Sequence, residues 1–131
     1  MGELTRFPDT LELVRAHLAA RLAIDAGLRL PAPWPTAGFL QLARTGGGRT
    51  RLTEDVRIDL AGWHPTRPTV AERIVGDAIN EVLALEGGQL DGWQVLDTGN
   101  PGGIAAQPDP RFPDVHRATA MIRLRVRGVS R

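Results

Sequence analysis

Asp55-Val56-Arg57-Ile58-Asp59-Leu60-Ala61 alternates apolar and charged residues without a break. Period-two alternation sends Val56, Ile58 and Leu60 to one face and Asp55, Arg57 and Asp59 to the other, so this stretch reads as a half-buried strand. Residues 62–68 read as a turn, and beyond it the period changes. Ala71, Ile74, Val75, Ala78, Ile79, Val82 and Leu83 recur at three and four, which is one stripe of a helix. Thr69 and Glu72 have the spacing of a capping box, and Gly87-Gly88 is a stop signal. A half-buried strand and a one-faced helix each need a partner. Packed together they start a sheet-and-helix domain that other strands extend.

Working outward, residues 117–127 give the cleanest further strand. Ala118, Ala120, Ile122, Leu124 and Val126 face one way; Arg117, Thr119, Met121, Arg123, Arg125 and Arg127 face the other. Beside the strand at 55–61, this arginine row would find Asp55 and Asp59 across the ladder, in pairs worth about 0.2–1 kcal/mol each. The alternative is that the row faces a neighbouring subunit or a channel that holds DNA. Residues 39–44 read as the strand before 52–61, joined to it by a hairpin loop over 45–51. Its glycine triplet with Arg49 and Arg51 predicts a mobile tip suited to contacts between molecules.

Nearer the N-terminus, Pro8-Asp9-Thr10 opens a helix with Asp9 as N-cap and Glu12 as its capping partner. Leu11, Val14, Leu18 and Leu22 form its stripe, His17 lies at its surface or boundary, and Gly27 is its expected end. The residues before it, from Met1 on, lack the apolar core of a signal peptide and lead straight into that helix. Pro31, Pro33 and Pro35 force an extended crossover over 30–38, which Trp34 could pin to the core. Residues 93–97 and 104–107 read as another hairpin, with a turn at 100–103, and 108–114 as a second proline-fixed connector. The expected fold is α+β: one domain over residues 1–131, a mostly antiparallel sheet of about four to five strands, and two helices on one face.

Composition sets limits on function. The chain has 131 residues, 42% hydrophobic and 24% charged, as in ordinary globular domains. It has no cysteine, hence no disulfide framework and no thiolate metal site. No apolar run approaches the roughly 20 residues of a membrane span. All 16 basic residues are arginine, and the net charge is +1. The charge is nevertheless blocky. Residues 26–53 carry four Arg and no acid, 54–114 carry eleven acids against four Arg, and 115–131 carry five Arg and no acid. That pattern fits a folded domain with complementary surfaces better than a dedicated nucleic-acid binder, which shows a basic excess.

Chemical motifs are few. Asp97-Thr98-Gly99 spells the short signature of aspartic proteases, but too little chain follows for that fold, so it reads as strand end plus turn. The glycine triplet lacks the Lys-Ser/Thr and the helix of a phosphate loop. His17, His64 and His116 are widely spaced and carry no ligand motif. No catalytic set, cofactor site or metal site is expected, although a small α+β enzyme or ligand-binding domain remains the alternative of another class.

Three segments resemble the tail-terminator and tail-completion proteins of long-tailed bacteriophages. They are the strand at 56–63 followed by the helix from Val70 to Leu83, the run from Gly102 through Gln107 to Phe112, and the ending Arg123-Leu124-Arg125-Val126-Arg127-Gly128. The resemblance implies a virion structural protein at the head-tail junction, assembled in the host cytoplasm as a homo-oligomeric ring, usually a hexamer. Its implied partners are the tail tube protein and the head connector or neck protein, with genomic DNA passing the channel without sequence-specific binding. A head-closure adaptor is the alternative within the same assembly. Expected interface residues are Arg44, Arg49, Arg51, Asp55, Arg57, Asp59, Arg123, Arg125 and Arg127.

Overall fold

The computed structural model of the chain describes residues 4–130; the reading of Met1, Gly2 and Glu3 lies outside them. In chain order the elements are β1 (Thr5–Arg6), α1 (Thr10–Leu22), β2 (Asp25–Gly27), β3 (Phe39–Arg49), β4 (Thr53–His64), α2 (Pro68–Leu83), β5 (Gln89–Leu90), β6 (Trp93–Gly99), β7 (Ala105–Ala106), β8 (His116–Arg127) and β9 (Val129–Ser130). The main sheet has the order β2-β3-β4-β8-β6-β5, with β7 also paired to β8. β1 and β9 form a separate short ladder.

The α+β class holds, but the sheet is larger than expected and is mixed. Seven strands take part in place of four to five, and β2 runs parallel to β3, with Asp25 opposite Phe39. β4 and β8 form its centre, paired over twelve positions from Thr53–Arg127 to His64–His116. Val56, Ile58 and Leu60 of β4 meet Ala118, Ile122, Leu124 and Val126 of β8 in one core. Ala71, Ile74, Val75, Ala78, Ile79 and Val82 cover it from α2, and Val14 and Leu18 from α1. Both helices therefore pack on the same face of the sheet. Gly62 lets α2 lie close, since a Cβ there would sit 2.8 Å from the Val75 methyl and against the Ala71 carbonyl.

Several local expectations are corrected. β3 does not end at Arg44. It runs to Arg49 through the glycines, with Gly47 opposite Val56 and Gly48 opposite Asp55, so 45–49 is ladder and the turn shrinks to 50–52. β4 continues through Gly62 and Trp63 to His64, where a turn was expected. α2 begins at Pro68, which favours the first helical position, and this leaves Thr69 inside the helix. The entry to α2 is tied by His64 instead, whose Nδ1 accepts from the Thr66 and Arg67 N–H groups at 3.1 and 2.9 Å. Leu83, assigned to the buried stripe, is 40% exposed. α1 starts as expected, with Asp9 accepting from the Glu12 N–H at 3.3 Å, but ends at Leu22, before Gly27. The Glu12 carboxylate binds Arg15 and does not close the capping box.

The hairpin expected between 93–97 and 104–107 does not form. β6 and β7 run in one direction, end to end, along the same edge of β8. Gly99 is opposite Arg123 and Ala105 is opposite Thr119. Six steps of chain therefore cover four of β8, and the surplus bulges out over 100–104.

Candidate functional site

With both helices on one side, the other face of the sheet is left without a covering layer along its middle. Its residues are those of odd number on β4 and β8. Two proline-fixed connectors close one end. Trp34, Trp63 and Phe112 stack there, with ring centroids 5.1, 5.4 and 5.8 Å apart. Trp34 thus pins the first connector, as its sequence position suggested. Trp63 is fully buried and its indole N–H donates to Gln41 at 3.2 Å. Arg117 lies 5.3 Å over the Trp63 ring.

The second connector is fixed by Asp109. Its carboxylate accepts from the Arg111 side chain at 2.7 and 3.2 Å and from the Arg111 backbone N–H at 2.9 Å, and it lies 3.5 Å from Arg117. The Arg111 side chain first, then its N–H, hold the Asp109 carboxyl at about 2, below its ordinary 3.8. A carboxyl lowered on folding stabilises the fold above its unfolded value, and this contribution fades as pH falls toward the folded one. The melting temperature is therefore expected to drop between about pH 4 and pH 2. Asp109→Asn should melt lower at neutral pH and lose less over that acid range, as thermal scans at stepped pH would read.

Beyond the aromatic end lies a trench of about 510 Å³. Ala43, Ala61, Asp59, Thr119 and Met121 line it, and the bulge residues Pro101, Gly102 and Gly103 overhang it. Asp59 is its one carboxylate and Arg117 its one guanidinium. The Thr119 hydroxyl bonds Gln107 at 2.9 Å, within the chain itself. Among the described residues, no three His, Asp or Glu side chains gather to hold a metal ion. No helix there is long and apolar enough to cross a membrane.

Further along, the face becomes a lattice of opposite charges. Asp55 lies opposite Arg125, and their side chains bond at 2.8 Å. That hydrogen bond lowers the Asp55 carboxyl and raises the Arg125 guanidinium from their ordinary values. Arg123 turns to the other neighbour, reaching Asp97 at 3.2 Å. Asp97 and Asp55 are thus separated by arginines and share no cleft. Asp59 is opposite Met121 and takes a hydrogen bond from Thr45 at 3.4 Å. The cross-strand pairing expected of the arginine row is present for Asp55 and absent for Asp59.

The structure brings Asp55, Arg57, Asp59, Arg123 and Arg125 together on this face, while Arg127 lies at its end and Arg51 in the turn. Arg44 and Arg49 belong elsewhere. They are five residues apart, a spacing that in a regular strand gives opposite faces. A bulge between Arg44 and Gly46 brings both to the helix side. There they meet Glu54, which is 2% exposed: Arg49 bonds it directly, and Arg44 lies 3.8 Å away. Arg49 also lies 4.6 Å over the Phe7 ring, tying the N-terminal segment to the hairpin. The sequence carried a signal for Glu54, since its parity matches Val56 and Ile58. Asp97 and Asp109 as arginine partners had none.

No protein-family model matches the chain, and no curated protein sequence matches it. A fold match exists among solved structures. One chain of the virion of a native gene transfer agent particle superposes with a TM-score of 0.59 over 86% of each chain, at 16% identity. At that identity the likeness is one of fold.

Proposed function

We propose that this chain is a virion structural protein that forms a ring at the end of a phage tail tube, stops tube growth and offers the surface for joining to the head. The fold shared with a virion chain, over nearly the full length of both, is the observation that carries the reading. The open charged face agrees with it. Alternating Asp and Arg at fixed register set partner and orientation more than raw affinity, as an assembly that must stop at one layer requires. A heterologous contact closes into a ring when its rotation divides a full turn. One ring face would fit the tube and the other would not, and growth would end there. The place of action is then the head-tail junction of the virion, after assembly in the host cytoplasm. The partners are further copies of the chain, the tube protein and the neck, with DNA passing the channel unread.

The trench favours the ligand-binding alternative by its size alone, which lies within the range of small-molecule sites. Against catalysis there, the Thr119 hydroxyl already donates to Gln107 and the Asp59 carboxylate already accepts from Thr45. Adding the purified chain to polymerising tube protein is expected to shorten the tubes in proportion to the amount added, with density on one tip in micrographs. Tubes of unchanged length and bare tips would refute the reading.

A further inference from the structure

One charge of the open face is left unmatched. Arg57 lies directly opposite Arg123, and like charges facing across a ladder destabilise it. Arg125 bonds Asp55, and Arg123 reaches Asp97 at 3.2 Å. The Arg57 guanidinium makes no hydrogen bond or ion pair among the described residues. Between these two arginines and the bulge over 100–104 lies a hollow of about 450 Å³. Gly99, Asn100, Pro101 and Met121 line it with them, and no carboxylate does. Gly99 leaves its floor bare; a Cβ there would stand 3.5 Å from the end of the Arg123 guanidinium. Asn100 is held by donating to the Met121 carbonyl at 2.8 Å, which leaves its second amide N–H unused. The hollow thus gathers donors from three side chains and no negative group.

We infer that this hollow binds the phosphate group of a small organic phosphate, whose remainder lies in the adjoining trench. A tetrahedral oxyanion takes donors from several directions, which two guanidiniums and an amide supply, and the guanidinium fork suits phosphate. The anion relieves the like-charge pair, and the free charge of Arg57 is the one it balances. Pro101 and Met121 line both hollow and trench, so the two run together beneath the bulge. Asp59 lines the trench and takes only the 3.4 Å bond from Thr45, so it suits a hydroxyl on the ligand. The same carboxylate selects against a polyanion. A run of phosphates along this face would meet Asp59, Asp55 and Asp97 in turn. One phosphate on an uncharged, hydroxyl-bearing body fits; a nucleic-acid backbone does not. The inference stands apart from the ring reading, and tube growth does not enter its test.

Thermal melts and calorimetric titrations at matched ionic strength test it, with ribose 5-phosphate, inorganic phosphate, ribose and a short DNA duplex as probes. Ribose 5-phosphate should raise the melting temperature, because a ligand of the native state stabilises it. It should bind more tightly than inorganic phosphate, and ribose should not bind. Arg57→Gln and Gly99→Val should each weaken its binding about tenfold or more, the first by removing charge-assisted bonds and the second by filling the floor. Without ligand both should melt at or above the wild-type temperature. The first removes a like charge, and the second adds a good strand former where its Cβ meets only the end of a flexible side chain. No shift with either phosphate overturns the inference, as do two variants that bind like the wild type. Inorganic phosphate bound as tightly as the sugar phosphate would remove the trench from the site and overturn it too. A duplex bound more tightly than ribose 5-phosphate overturns it in favour of a polyanion.

Discussion

Trp63→Ala is expected to lower stability by about 3–5 kcal/mol, as large aromatic truncations in cores do. A domain of this size has roughly 5–15 kcal/mol in total, so the variant should be marginal at 37 °C. Trp63 is fully buried on the side of the sheet away from the helices. Its loss removes the platform on which Trp34, Phe112 and Arg117 rest. It also orphans Gln41, whose amide oxygen accepts the indole N–H. Both proline-fixed connectors should loosen together. Urea unfolding reads the loss of stability, and proteolysis should cut first in residues 31–37 and 108–115. A variant within about 1 kcal/mol of wild type would mean that the connectors are held by something other than this stack.

Gly62→Val should cost about 3 kcal/mol or more, by overpacking. Elsewhere in this sheet a β-branched residue would favour the strand. Here the added Cβ runs into the Ala71 carbonyl and the Val75 methyl, so α2 must lift from β4. Lifting it opens the largest block of the core, from Ala71 to Val82. Gly62→Ala should show the same sign at smaller size. Equal stability of both variants with the wild type would contradict the close helix-sheet approach.

Much of this architecture was legible because it rests on period. The alternation at 55–61 and 117–127 and the three-four spacing from Ala71 to Val82 survive in the structure with the same faces inward. A partner for Asp55 in the arginine row followed from placing those two strands side by side, whereas the register that makes it Arg125 came from the structure. What was not legible depended on partners distant in sequence. Asp25-Ala26-Gly27 has no strand pattern and becomes β2 by lying along Phe39 to Gln41. The glycine triplet reads as loop because glycine is a poor strand former, yet the β4 ladder holds it extended. Residues 105–106 were assigned to the adjacent strand, whereas the vacant end of the β8 edge took them. The turn entering α2 is tied by His64, and the Thr-x-x-Glu motif, which starts one residue after Pro68, lies inside the helix and caps nothing. Of the expected interface residues, five share the open face; Arg44 does not because it keeps the parity of Leu42, and Arg49 does not because the bulge after Arg44 turns it to the helix side.

Electron microscopy of particles made without this gene tests the central claim most directly. The terminator account predicts overlong tail tubes of variable length, restored to one length when the wild-type gene is supplied. Tails of normal, uniform length lying beside full heads would contradict it, and would move the chain one layer up, to closing the head.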